Sequence, residues 1–360
     1  MNRSVAALVL ADHNRFLGID LTDRAVMIAK RAGIDCISIA DDRADLAVAR
    51  AKRERRLARA ADLIVVLDAR TVIEPKGVRE AVSRAGSGVL DLTAEGAIPG
   101  RFSRRITSVA DIPSVEHAYL SHTSGGTGEG FFTQQVRRFS IPISRFLLRH
   151  HVKANHVTLA GFAFAIAAGI SFALGGYRAG VIGALLYFFS TILDCSDGEV
   201  ARGSFGESHY GAWLETITDY LSYFVVLGGI VWGDVRVEGF CIHAKAAIVA
   251  AIASLTIVSL VGYLRMRVAS ENPGALDDAL AAELKKGTPV QRFTGWSRQL
   301  IKRSFFSHLV VFQALIGHLP ALAEIWAYGS VAGVILILAV QTHLIRRVRV
   351  SPSHVLPQEN

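Results

Sequence analysis

The stretch 194–219 reads DCSDGEVARGSFGESHYGAWLETITD, with Asp194 and Asp197 three residues apart and Glu215 and Asp219 four apart. Either spacing puts both carboxylates on one face of a helix, so a helical hairpin would turn the two pairs toward each other. Carboxylates at membrane depth cost ~2.5–3.5 kcal/mol each on insertion scales and persist where they line a polar cavity or hold an ion. An oxygen-only ligand set favours hard cations such as Mg²⁺, Mn²⁺ or Ca²⁺ over zinc. Gly198 and Ala201 leave room beside the first helix, Arg202 offers a planar fork for phosphate, and Gly211 lets the second helix begin close by. Together these groups describe a site for a diphosphate with metals. Glu199 and Glu207 fall in the loop between the two pairs and read as solvated charges there, with an added metal contact as the alternative; His209 reads as a polar loop residue rather than a ligand.

The elements that must carry these acids are apolar. Six spans are expected, at about 157–175, 179–195, 211–232, 245–264, 306–323 and 325–344, each near the roughly 20 residues that cross ~30 Å of hydrocarbon. Arg265, Arg267, Lys285, Lys286, Arg292, Arg298, Lys302 and Arg303 crowd the fourth connection, and Arg346, Arg347 and Arg349 follow the sixth span. The first connection holds Arg178 alone among basic residues and the fifth holds none. The positive-inside rule then places both termini, the acidic hairpin loop and the fourth connection in the cytoplasm. A multi-pass protein of the cell (inner) membrane results, and topology alone explains the basic cluster. Lys285, Lys286, Arg292 and Arg298 are also candidates to bind a phosphorylated acceptor.

The first 150 residues read differently. Short β-like runs (Val5–Leu10, Cys36–Ile39, Leu63–Leu67, Val89–Leu92) alternate with helical patterns (Asp23–Ala32, Asp42–Ala61, Lys76–Arg84), the βαβα signature of a parallel sheet flanked by helices. Gly33 is placed to stop the first helix and Pro75 to start the third. The opening MNRSVAALVLADHNRF lacks a small-residue cleavage site and its apolar run is too brief for a signal peptide, so Val5–Leu10 reads as a strand. A soluble α/β domain over 1–120, a Gly/Ser/Thr-rich linker over 121–130 (SHTSGGTGEG) and a helix over 131–152 precede the membrane part, 153–350. In that helix Phe139, Ile143, Phe146 and Leu147 recur at helical spacing opposite Arg137, Arg138, Arg145 and Arg149, the pattern of a helix lying in the membrane interface.

Composition agrees with a soluble part joined to a membrane part: 51% of the 360 residues are hydrophobic and 19% charged. The net charge of +8 would suit nucleic acid, but many Lys and Arg flank the apolar runs, where they meet anionic headgroups. Membrane lipid rather than nucleic acid is the expected partner. Cys36, Cys195 and Cys241 show neither a disulfide framework nor zinc-ligand spacing.

The acidic stretch resembles the signature of the CDP-alcohol phosphotransferase family, D-x2-D-G-x2-A-R-x8-G-x3-D-x3-D, with Glu215 in place of the third aspartate. The resemblance covers about 150–345 and includes Asn155-x2-Thr158, where the family often has Pro and this chain has Ala154. It implies a six-helix membrane domain, two Mg²⁺ or Mn²⁺ ions on Asp194, Asp197, Glu215 and Asp219, and CDP contacts at Asp194, Gly198, Ala201 and Arg202. It further implies Asp219 as general base, a CDP-alcohol and an alcohol acceptor as substrates, and a homodimer. An acceptor hydroxyl must lose a proton as it attacks phosphorus, while two cations neutralise the diphosphate. Glu215 is one methylene longer than the residue it replaces, which bears on metal preference.

Residues 4–92 resemble a degenerate cytidylyltransferase-like domain. In place of a Gly-rich loop after the first strand, Ala11–Gly18 (ADHNRFLG) offers Arg15 and a late Gly18; Asp68 reads as a turn residue rather than a metal ligand. The domain is expected to be catalytically inactive, serving stability, dimerisation or regulation. The expected reaction is transfer from CDP-diacylglycerol to a polyol or polyol phosphate with release of CMP, as in phospholipid biosynthesis. Two alternatives are a CDP-inositol donor with an inositol phosphate acceptor, giving a soluble diester, and a bifunctional enzyme that also makes its CDP-alcohol.

Overall fold

The computed structural model describes residues 4–41, 46–99, 101–124, 130–240, 242–268, 302–336 and 338. The chain divides into two compact units, one of Met1–Thr127 with Ile141–Val152 and Glu199–Phe205, the other of Gly128–Ser140, Lys153–Gly198 and Gly206–Asn360.

In the first unit the order is β1 (Val5–Leu10), β2 (Arg15–Phe16), β3 (Ile19–Asp20), α1 (Leu21–Arg31), β4 (Cys36–Ala40), α2 (Leu46–Leu57), β5 (Leu63–Asp68), β6 (Thr71–Ile73), α3 (Pro75–Arg84), β7 (Gly88–Asp91), β8 (Ser103–Arg105) and α4 (Ile112–Thr123). Strands β4-β1-β5-β7 form a parallel sheet in that order, while β2 pairs with β3 and β6 with β8 antiparallel. The central strands read VAALVL and LIVVLD and are buried on both faces, which is why they are apolar without alternation. Asp20 caps α1 by accepting the Thr22 and Asp23 N–H groups, and Gly33, at φ +84°, ends it. Pro75 opens α3, where a missing N–H costs nothing. Residues 42–45 of the expected second helix lie outside the described residues. The β2–β3 hairpin, the long-range β6–β8 pair and α4 carry no long periodic run, and no local sequence signal marks them. Ser121–Thr123 continue α4, so part of the Gly/Ser/Thr-rich stretch is helical.

Helix α5 (Phe131–Arg149) follows, its residues 131–140 in the second unit and 141–149 in the first. Its buried positions are Thr133, Val136, Ser140, Ile141, Ser144 and Leu148, while Phe139 and Phe146 are exposed. The second unit continues with α6 (Ala154–Leu174), α7 (Tyr177–Gly203, leaving this unit after Gly198), α8 (His209–Glu238), α9 (Ile242–Val268), α10 (Arg303–Leu315) and α11 (Ala321–Leu336). Four helices, α6, α7, α8 and Ile242–Leu260 of α9, are long and apolar enough to cross a membrane. Large apolar side chains such as Ile170, Leu185, Ile217, Trp232 and Ile252 are exposed on them, as lipid-facing positions require.

The expected fifth span, 306–323, does not coincide with one helix. Helix α10 stops at Leu315, Gly317 takes φ +75°, and α11 starts after Pro320. Its 13 residues reach about 20 Å at 1.5 Å per residue. Close packing elsewhere depends on glycine: a Cβ at Gly229 would stand 2.2 Å from the Gly169 carbonyl oxygen, and one at Gly233 2.3 Å from that of Phe172. Helices α6 and α8 thus approach backbone to backbone through a small-residue face.

Candidate active site in the helical unit

Helix α7 carries the first acidic pair and α8 the second. Ser208 caps α8 by accepting the Gly211 N–H at 3.0 Å, and a Cβ at Gly211 would lie 3.1 Å from Asn155 Oδ1, so this helix begins hard against the start of α6. Ser190 on α7 donates to the Gly161 carbonyl of α6 at 2.5 Å, fixing the other side of the hairpin.

Asp197 is 2% exposed. Thr158 of α6 donates its hydroxyl to Asp197 Oδ2 at 2.7 Å, whereas Asp197 Oδ1 is buried with no hydrogen-bond partner among the described residues. Asp194 and Asp219 are held from α10: Arg303 Nη1 donates to Asp194 Oδ1 at 2.9 Å and also to Asp219, while Nη2 donates to Ser190 at 2.6 Å. The guanidinium is itself buried, its carbon 5.6 Å from the centroid of the Tyr187 ring. Like-charge repulsion links the four acids: Glu215 and Asp219 act on Asp197, and Asp219 and Asp197 on Asp194. Glu215 is the most exposed of the set.

One arginine therefore bridges an acid from each half of the motif. The basic run that expects a cytoplasmic loop conceals Arg303, 84 residues beyond Asp219, and no local pattern identifies it as a partner. Lys285, Lys286, Arg292 and Arg298, the candidates for an acceptor phosphate, lie outside the described residues. Gly198 ends the part of α7 that belongs to this unit; Ala201 and Arg202 follow on the same helix, in the segment Glu199–Phe205 grouped with the first unit. Arg202 is half-buried and its Nε has no partner among the described residues. Glu199 corrects the expectation of a solvated loop charge. Because α7 runs to Gly203, Glu199 is helical and fully buried, and Ser144 donates to it at 2.6 Å. Glu207 and His209 are exposed, as expected.

The donor set fits a divalent cation. All four side chains offer oxygen alone, the choice of hard metals, and a buried carboxylate oxygen without a donor is the group that a cation would satisfy. A second grouping, Asp234, Glu238 and His243, brings ligand atoms within 4.8 Å of one another in the described residues. There His243 Nδ1 pairs with Asp234 at 3.0 Å, so an internal contact already answers that acid.

In the first unit, strands β1 and β5 end side by side where the strand order reverses, the position at which open parallel sheets bind ligands. Asp12 there accepts from Asn14 and, at 2.7 Å, from Arg70 Nε; Asp68 accepts the Arg70 N–H and pairs with Arg105 at 3.2 Å. Asp68 is thus a turn residue. Gly18, at φ +82°, sits in the β2–β3 hairpin, and a Cβ on it would stand 2.6 Å from the Leu148 carbonyl oxygen. Close approach to α5 accounts for that glycine.

A family model described as CDP-alcohol phosphatidyltransferase matches residues 151–345, more than half of the chain. The chain is 30% identical over 131 residues to the bifunctional IPC transferase and DIPP synthase of Archaeoglobus fulgidus, covering 36% of this chain and 26% of that protein. It is 35% identical over 102 residues to the archaetidylinositol phosphate synthase of Methanothermobacter thermautotrophicus (28% and 49% covered). Against the phosphatidylinositol phosphate synthase of Mycobacterium tuberculosis it is 28% identical over 131 residues (36% and 57%). The matched part spans between about a quarter and somewhat over half of these relatives.

Proposed function

The chain belongs to the CDP-alcohol phosphatidyltransferase family, and we propose on that basis that it transfers a phospho-alcohol group from a CDP-alcohol to an acceptor hydroxyl, releasing CMP. The observation that carries this reading is the bridging of Asp194 and Asp219 by Arg303, with one oxygen of Asp197, a turn along α7 from Asp194, buried without a partner among the described residues. Members of the family use a CDP-alcohol donor, an alcohol acceptor and divalent metal. Asp194, Asp197, Glu215 and Asp219 would hold two Mg²⁺ or Mn²⁺ ions, which when bound neutralise the diphosphate and the departing CMP.

Asp219, a third exposed, takes the proton from the acceptor hydroxyl as its oxygen bonds to the phosphorus bearing the donor alcohol. The bond from that phosphorus to the CMP oxygen breaks, and CMP leaves with the electron pair. Asp194, Gly198, Ala201 and Arg202 contact CDP, Arg202 through its fork of donors. Lys285, Lys286, Arg292 and Arg298 receive the acceptor phosphate.

The protein is a membrane protein by its apolar helices. We place six spans in it, the four long helices and two more drawn from 306–344, with the N-terminal domain, acidic site and C-terminus in the cytoplasm, α5 in the interface, and the assembly a homodimer. The N-terminal α/β domain is inactive as a cytidylyltransferase, since Arg70 and Arg105 occupy the acids at its switch point.

CDP-diacylglycerol as donor and a polyol phosphate as acceptor agree with relatives named phosphatidylinositol phosphate synthase and archaetidylinositol phosphate synthase. The similarity to a bifunctional IPC transferase and DIPP synthase supports a second reading, a CDP-inositol donor with an inositol phosphate acceptor. Product analysis decides between them: the first reading yields a chloroform-soluble product from CDP-diacylglycerol, and a water-soluble diester from CDP-inositol alone overturns it.

A further inference from the structure

Arg24 on α1 is 1% exposed, a buried cation outside the acidic site. Its guanidinium carbon lies 4.9 Å from the ring centroid of Phe16, 4.5 Å from that of Tyr119 and 4.7 Å from that of Phe205. Its Nη1 donates to the carbonyl oxygen of Gly203 at 3.1 Å. Gly203 is the last residue of α7, so this carbonyl is one of those that a helix leaves without an internal partner, at the negative end of its dipole. Arg31, seven residues on and hence on the same face of α1, donates to the Phe205 carbonyl at 2.5 Å and lies 5.5 Å from the Phe205 ring centroid. Phe205 takes φ +57°, a left-handed conformation that a bulky side chain adopts only where its surroundings impose it. Gly203 is pressed against Leu148, which a Cβ would approach to 2.7 Å.

We infer that Arg24 and Arg31 are positioning residues for the transferase reaction: they cap the C-terminal end of the helix that carries Asp194, Asp197 and Arg202, and so hold Arg202 where the CDP-alcohol binds. The N-terminal domain, without catalysis of its own, then acts as a splint on the segment between the two acidic pairs. A buried guanidinium among three rings is costly unless its cation–π contacts and hydrogen bond are kept together, and that requirement ties the Phe205 turn to α1. The inference rests on the transferase reading for its kinetic consequence alone.

The test uses full-length protein in lipid, with Arg24→Met, Arg24→Lys and Arg31→Met. Hydrogen–deuterium exchange without substrate is expected to rise about tenfold or more in peptides covering 199–208 in both Met variants, with β1 and β5 unchanged. Arg24→Lys restores part of the protection. KM for the CDP-alcohol is expected to rise about tenfold while kcat stays within about threefold. Unchanged exchange over 199–208 in Arg31→Met overturns the inference even where Arg24→Met unfolds the sheet. If the wild type releases no CMP, the transferase reading fails and exchange still decides the clamp. CMP release with KM unmoved in the folded variants overturns the positioning role and leaves the transferase reading standing.

Discussion

Thr158 and Asp197 are joined by a hydroxyl-to-carboxylate hydrogen bond of 2.7 Å that satisfies one oxygen of the acid and leaves the other buried without a partner among the described residues. The bond fixes the rotamer of Asp197, so its second oxygen is presented in a set orientation before any cation arrives. Mg²⁺ or Mn²⁺ should therefore stabilise the wild-type protein against heat, by about 2.7 kcal/mol at a hundredfold excess over its dissociation constant. In Asp197→Ala that metal-dependent shift disappears; a differential scanning measurement across a metal titration reads both.

Arg303 supplies the positive charge that holds Asp194 beside Asp219. Removing one member of a buried ion pair costs about 3–5 kcal/mol, and the partial exposure of Asp219 puts Arg303→Ala toward the lower end. Mg²⁺ should raise the melting temperature of this variant by more than it raises that of the wild type, because a cation relieves the same carboxylate repulsion. An equal shift in both would separate Arg303 from the proposed metal site.

In the proposed metal site Glu215 is the departure from the family pattern. Glu215→Asp should change the ratio of Mn²⁺- to Mg²⁺-supported rates severalfold while leaving KM for the CDP-alcohol within about twofold. Steady-state rates with each metal check this.

In the N-terminal domain, burial pushes the Asp12 carboxyl up, but hydrogen bonds from Asn14 and the paired guanidinium of Arg70 outweigh it and hold the group below the usual carboxylate value. A depressed folded-state pKa contributes stability above the unfolded value, near 4, that is lost as pH falls through the folded one. Asp12→Asn should lower the melting temperature at pH 7 by a few degrees, and the gap to wild type should narrow below about pH 4. A gap independent of pH would mean that the charge of Asp12 contributes nothing.

The parallel sheet and the two acidic pairs were legible because their signals are local. Strands β1 and β5 are unbroken apolar runs, and Asp194, Asp197, Glu215 and Asp219 declare a helical face by spacing alone. Arg303 was not legible, since its role depends on α10 reaching an acid 84 residues earlier and its own neighbourhood is a basic run that topology already accounts for. The burial of Glu199 is not legible locally, because the apolar run ends near 195 whereas helix α7 continues to Gly203 and buries it. The break at Gly317–Pro320 lies a few residues before the one that apolar composition suggests, since that composition continues across it.

CMP release from purified protein in lipid, with Mg²⁺ or Mn²⁺, a CDP-alcohol and a polyol phosphate, compares wild type with Asp219→Asn and decides whether the acidic site is a metal-dependent transferase. A general base contributes about 10²–10⁴-fold. Metal-dependent release by the wild type is expected, falling by about 10²-fold or more in the variant while CDP-alcohol binding is kept. Equal rates in the two proteins, or release that persists in EDTA, would rule out Asp219 as a base in a metal-dependent transfer.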